Sequence, residues 1–331
     1  MKIRYIGHPK ELRMPAQAKY LDGTELRQVT LHPYVTTNCA LGAIAAYKDF
    51  AGKAWNPPPE FKLLQRFSGW NRYLVHTGQE EKFGLILEGK EEDSKTWLVA
   101  FRGTASKANI YQDMWVNTVP FKPHRARGPF PDNVAVASGF NSLYTDKGGS
   151  MKLSMQEQLF KAMEIGKPSI VYVTGHSLGG ALASLFALDV ASSRPGGVRV
   201  VSTTFASPRV GKSGWQSTYD KKVDDSFRIA NFWDSVPALP PESFVGYKHV
   251  GQQFLVSFYV KDARVIHPIS RHAMANYLWV VRKAVLATPQ VWEGEFPDQT
   301  DSEWTMQSTL PPSKEVPAWE ELQHRVPGDF A

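Results

Sequence analysis

A single cysteine in 331 residues leaves Cys39 without a partner for an internal disulfide, so no covalent staple holds this chain together. One thiol also excludes a multi-cysteine zinc cage. No run of about 20 uncharged apolar residues occurs, so no segment reads as a membrane-spanning helix. The opening MKIRYIGHPKELRMPAQ has no apolar core of signal-peptide length. The expectation is therefore a chain that is cytoplasmic or exported by a route independent of a signal peptide. Zinc-finger spacing, an RNA-binding aromatic motif, a P-loop and any fixed-period repeat are all missing, so nucleic acid is not an expected partner.

What is present is apolar content of 42%, enough for one large domain with its own core. Cys39, in NCALGAIAAYKDF, reads as a small core residue of a buried helix. The net charge of +6 is uneven. Residues 288–331 carry nine acidic side chains against Lys314 and Arg325, a local net of −7 that leaves +13 on the rest. A basic body attracts anionic surfaces or acidic partners without selecting among them.

Three segments follow from the pattern. Residues 1–34 are mixed and turn-rich, an N-terminal extension expected to pack on the core. Residues 35–287 alternate helix and strand signals. A helix is expected from Thr37 to about Lys53, stopped by Gly52 and Pro57 to Pro59. FGLILEG, TWLVAFRG, NVAVASGF, SIVYVTG, VRVVSTTFASP, SFRIAN and QQFLVSFYV read as strands. SMQEQLFKAMEI, ALASLFALDVASS and RHAMANYLWVVRKAVL read as helices. This alternation predicts an α/β fold with a mostly parallel central sheet and helices on both faces. Residues 288–331 form an acidic tail with Trp292, Trp304 and Trp319, read as a loose strap or a docking segment for a partner.

Gly175-His176-Ser177-Leu178-Gly179 sits where an apolar strand turns into an alanine-rich helix. This is the G-x-S-x-G elbow, which presents a serine on a sharp turn. Glycines two residues either side are required because the backbone passes too close to itself for side chains. The helix start adds a free amide at Leu178, aimed where an oxyanion forms. A serine hydroxyl needs a base to take its proton and an acid to orient that base. Where this elbow is used, acid and then histidine follow it in the chain. Asp234, just beyond the SFRIAN strand, is the candidate acid. His272, opening the last helix, is the first choice as base, with His267 before Pro268 its main competitor. His249 enters a strand and reads as structural, and His324 lies in the tail.

These residues resemble the class 3 lipases, the fungal-lipase-like branch of the α/β-hydrolases. FRGT (Phe101 to Thr104) with Asn109 and Asp113 resembles the family's oxyanion loop, and GHSLGGALA its elbow. TFASPRVG, NFWDSVPALPP, YKHVGQQF and RHAMANYL follow in family order. The resemblance covers about residues 35–285 and implies an α/β-hydrolase fold with Ser177 as nucleophile, Asp234 as acid and His272 as base. It implies Thr104 as the second oxyanion donor opposite Leu178, and no metal or cofactor. It also implies a lid-like segment at about 105–133. There, a short helix showing Ile110, Met114 and Trp115 is expected, followed by a proline-rich loop with Lys122, His124, Arg125 and Arg127. Such a segment is either a solvated crossover or a lid opening at a lipid surface.

The expected activity is hydrolysis of acyl-lipid esters, with transient contact to a lipid surface. One alternative is a phospholipase A-type enzyme on anionic phospholipids, a reading that includes an exported effector among its forms. Another, from a different class, is a catalytically inactive binding protein on the same fold.

Overall fold

A computed structural model describes residues 17–21, 24–28, 33–72, 78–90, 93–104, 117–223, 225–231, 234–241, 246–258, 272–284, 292–295 and 301–307. The chain divides into two compact units, Met1–His32 and Pro33–Ala331. The first contains an antiparallel hairpin of β1 (Gln17–Leu21) and β2 (Thr24–Gln28).

The second unit opens with α1 (Pro33–Phe50), a long antiparallel pair β3 (Phe61–Asn71) and β4 (Gln79–Gly89), then β5 (Thr96–Phe101). Short β6 (Thr118–Pro120) and β7 (Ala135–Ala137) lead into α2 (Ser138–Thr145) and α3 (Met155–Gly166). Next come β8 (Ile170–His176), α4 (Leu178–Ser193), β9 (Arg199–Phe205), β10 (Gly211–Lys212) and α5 (Ser213–Lys222). The sequence continues through β11 (Asp225–Asn231), β12 (Tyr247–Lys248), β13 (Gln252–Phe258), α6 (Met274–Ala284), β14 (Trp292–Glu295) and β15 (Asp301–Gln307).

Among the described residues, nine strands form the central sheet in the order β14-β15-β13-β11-β9-β8-β5-β4-β3. The inner strands β13, β11, β9, β8 and β5 are parallel, whereas the pairs at both edges are antiparallel. β6, β7, β10 and β12 make a second, smaller sheet.

Alternation along β8 sorts the two faces of the central sheet. Val171 and Val173 enter the core cluster that also contains Leu182 and Phe186 of α4. On the opposite face, Thr174 Oγ1 donates to the Cys39 carbonyl of α1 at 3.3 Å. Helices therefore cover both sides of the strand that carries the elbow. Every residue of α4 is buried, which is why its sequence shows no polar stripe. α3 starts with a reciprocal cap: the Glu157 N–H donates to Ser154 Oγ at 3.2 Å, and the Ser154 N–H donates to Glu157 Oε2 at 2.7 Å. Cys39 is buried, and burial pushes its thiol up to about 12, a core residue rather than a reactive one.

Two sequence expectations are corrected, and one long strand is added. NVAVASGF is strand only to Ala137; Ser138 onward is α2, because Gly139, Phe140, Leu143 and Tyr144 are buried at helical spacing. β3 is not among the strands expected from the sequence. The tail is not simply a loose strap, since β14 and β15 extend the central sheet beside β13, with Val256 opposite Met306.

Candidate active site

β8 ends at His176 and α4 begins at Leu178, leaving Ser177 alone on the turn. Its backbone has φ 59° and ψ −130°, a conformation costing a non-glycine residue about 1–3 kcal/mol. The surroundings hold it there: the Ser177 N–H donates to Phe205 O at 3.0 Å, and the Gly180 N–H donates to Ser177 O at 2.8 Å. Close approach explains the flanking glycines, since a Cβ on Gly175 would lie 2.1 Å from Gly179 O. The FRGT segment presses against the same turn, where a Cβ on Gly103 would lie 2.7 Å from His176 O and 3.0 Å from Ser177 Cβ. This brings Thr104, next in the chain, beside the elbow.

Ser177, His272 and Asp234 form one hydrogen-bonded chain. His272 Nε2 lies 2.8 Å from Ser177 Oγ, and His272 Nδ1 lies 2.7 Å from Asp234 Oδ2. A carboxylate only accepts, so Nδ1 carries the ring proton and Nε2 is left to accept from the serine hydroxyl. Ser177 and Asp234 are buried, whereas the His272 side chain is 23% exposed. Asp234 has further donors: the Tyr277 hydroxyl at 2.8 Å to Oδ2 and the Val236 N–H at 3.0 Å to Oδ1. The Asn231 N–H in turn donates to the Tyr277 hydroxyl at 2.8 Å. Tyr277 is buried, and burial together with the Asp234 charge raises its phenol well above the ordinary value. It therefore stays a donor.

His176 sits behind His272. Its Nε2 donates to the His272 backbone carbonyl at 2.7 Å, so its Nδ1 accepts from the Tyr47 hydroxyl at 2.9 Å. The rings of His176 and His272 lie 4.5 Å apart, inclined by 40°. Burial, and next the neighbouring His272, hold His176 well below the ordinary imidazole value, so it stands neutral beside the His272 ring.

Two oxyanion candidates face the same turn. Leu178 is the first residue of α4, where helix amides have no acceptor within the helix. Thr104 Oγ1 is buried and has no hydrogen-bond partner among the described residues. His249 is not part of the constellation: its Nε2 donates to Pro237 O at 2.7 Å, and burial followed by Arg228 and Arg209 keeps it neutral. His267 and His324 lie outside the described residues, as do Ile110, Met114 and Trp115 of the lid-like segment and its residues Asn109 and Asp113.

The second half of that segment is tied down. Asp189 of α4 accepts from the His124 N–H at 2.7 Å, the Tyr144 hydroxyl at 2.9 Å, Gln156 Nε2 at 2.6 Å and Ser193 Oγ at 3.1 Å. The Arg125 N–H reaches Ser193 Oγ and the Arg127 N–H reaches Ser192 O. Sequence reasoning missed Tyr47, His176, Tyr277 and Asp189. Tyr277 and His176 lie inside quoted motifs, but nothing in their spacing assigns them partners; Tyr47 and Asp189 act across elements far apart in the chain.

The family model for Lipase (class 3) matches residues 98–244. The chain is 34% identical over 254 residues to the protein named Phospholipase A1-II 3 of Oryza sativa subsp. japonica, covering 70% of this chain and 55% of that one. It is 33% identical over 158 residues to the Secreted mono- and diacylglycerol lipase MDL3 of Malassezia globosa, covering 46% and 49%. It thus spans about half the length of each. In structure it resembles a triacylglycerol lipase from Penicillium expansum, with a TM-score of 0.51, 21% identity and coverage of 69% of this chain and 82% of the other. That likeness speaks to the fold.

Proposed function

The chain belongs to the class 3 lipases of the α/β-hydrolase superfamily, and from that footing we propose that it is a serine carboxylic-ester hydrolase acting on acyl lipids. The observation that carries the reading is the chain from Ser177 Oγ through His272 to Asp234. Ser177 Oγ attacks the ester carbonyl while His272 Nε2 takes its proton, and Asp234 steadies the imidazolium that forms. The carbonyl oxygen becomes an oxyanion between the Leu178 N–H and Thr104; losing such a donor costs roughly 3–4 kcal/mol of transition-state stabilisation. The tetrahedral species collapses as His272 returns its proton to the departing alcohol oxygen, leaving an acyl-serine. Water, deprotonated by His272, attacks that ester; collapse releases the fatty acid and restores the serine hydroxyl.

A fluorophosphonate probe tests the assignment. It labels the protein at Ser177, and Ser177→Ala abolishes labelling; labelling that survives the substitution contradicts the reading.

A narrower reading takes phospholipid as substrate, in the manner of a phospholipase A1. It is favoured by the name of the rice relative. Fatty acid release from anionic phospholipid vesicles should then exceed release from a triglyceride emulsion. Equal or better cleavage of triglyceride removes this reading and leaves the broader one standing.

A further inference from the structure

At the far end of α4 from the elbow, a groove of about 550 Å³ opens between that helix, the loop before β7 and α5. α4 has 16 residues, so the groove lies about 24 Å along the helix from the nucleophile and is no part of the ester-cleaving pocket. Its lining includes Arg127, Arg194, Lys221 and Lys222, and no carboxylate.

These four cations differ from several arginines elsewhere in the fold. Arg66, Arg72, Arg102, Arg125 and Arg199 each hold a carboxylate. Among the described residues, no ion pair engages Arg127, Arg194, Lys221 or Lys222. The carboxyl-terminal ends of α4 and α5 supply only about half a negative charge each, which leaves most of the four positive charges unbalanced. Two backbone-directed bonds hold the arrangement: the Arg127 N–H donates to Ser192 O at 3.0 Å, and Arg194 Nε donates to Ala191 O at 3.1 Å. The outer nitrogens of Arg194 are unengaged among the described residues. Ser192, also in the lining, is only 3% exposed, yet its Oγ has no hydrogen-bond partner among them.

We propose that this groove binds a multivalent phosphate anion, separately from the ester-cleaving site. Guanidinium forks and ammonium groups converging on one concavity suit phosphate oxygens. The volume falls in the range of small-molecule sites, and four cations in its lining suit a group that carries two or more phosphates. Such a group occurs both in soluble polyphosphates and on phosphorylated lipid headgroups.

Calorimetric titration of the full chain with sodium tripolyphosphate tests the proposal without reference to ester hydrolysis. The wild type should bind one equivalent, and affinity should fall as salt is raised. Lys221→Gln with Lys222→Gln, and separately Arg127→Gln with Arg194→Gln, should each weaken binding about tenfold or more, on the order of the loss of two charge-assisted contacts. Both variants should keep the wild-type melting temperature and hydrolysis of a small soluble ester, because the four side chains lie outside the catalytic chain. Sedimentation with phosphatidylcholine vesicles, with and without a polyphosphorylated phosphatidylinositol, separates the sources. Retention on the phosphorylated vesicles that tripolyphosphate displaces supports the groove with a headgroup as its ligand; tripolyphosphate binding without retention supports it with a soluble one. Failure of both probes to bind, or binding unchanged in both variants, overturns the proposal.

Discussion

The His176 imidazole donates to the backbone carbonyl of His272 at 2.7 Å while receiving the Tyr47 hydroxyl at 2.9 Å. A bond to the backbone of His272, the proposed base, rather than to its ring, fixes where the ring stands without competing for its proton. His176→Ala should therefore lower kcat by about 10- to 100-fold, corresponding to one or two hydrogen bonds to a buried group, with KM little changed. His176→Gln, which keeps an N–H at similar reach, should restore part of the loss, and Tyr47→Phe should be milder. Steady-state kinetics on a soluble ester reads all three; an unchanged kcat in His176→Ala contradicts the positioning role.

Asp234 depends on Tyr277 in a related way. Tyr277→Phe removes a donor to a buried carboxylate and leaves the Asn231 N–H without the acceptor it has there. Bonds to charged groups contribute about 1.5–3 kcal/mol. A drop in kcat of about tenfold or more is expected, together with a lower melting temperature. Wild-type values for both would show that the carboxylate is held well enough by its other partners.

The elbow is legible in the sequence because its demands are local: a serine on a tight turn, glycines where backbone meets backbone, a strand ahead of it and a helix after. The choice between His272 and His267 is not legible from the residues alone, since both are loop-borne histidines in the correct chain order. The resemblance selects His272, and the position of His272 beside Ser177 is a fact of the tertiary fold. β3 escapes notice because its exposure does not alternate cleanly; register shifts between Leu63 and Gln65 and between Phe67 and Ser68 break the period. The acidic residues around Trp292 and Trp304 mask β14 and β15, whose pairing is set by a sheet edge distant in the chain.

Backbone crowding makes a sharp contrast between two glycines. Gly175→Ala would drive a methyl group to 2.1 Å from Gly179 O, both atoms being held by the strand and helix that form the elbow. Gly128 has φ +89° but nothing within 4 Å of a built Cβ, so alanine there costs only the backbone strain, about 1–2 kcal/mol. Thermal unfolding should show Gly175→Ala strongly destabilised or insoluble and Gly128→Ala only mildly affected. Equal effects would contradict the packing described at the elbow.

Asp189 supplies a pH dependence. Burial raises its carboxyl to about 6 despite four donors, whereas an unfolded aspartate titrates near about 3.9. The folded state thus binds this proton more tightly. The associated stability is complete below roughly pH 4 and is lost as pH rises through about 6. Asp49 and Glu157 are shifted downward and act in the opposite sense, so the comparison needs a variant. Asp189→Asn puts an amide donor among donors and should be destabilised throughout. Its deficit relative to wild type in urea unfolding should be larger at about pH 4.5 than at about pH 7.5. A deficit that grows with pH would contradict the assignment.

The central claim is that Ser177 and His272 act as one catalytic unit, and the double-mutant cycle on a p-nitrophenyl acyl ester tests it most directly. Ser177→Ala and His272→Ala should each reduce kcat/KM by about 10⁴-fold or more, with circular dichroism unchanged, and the double variant should be no worse than either single one, because groups that act as a unit are not additive. A His272→Ala enzyme that retains its turnover, or losses that simply multiply in the double variant, would contradict the account.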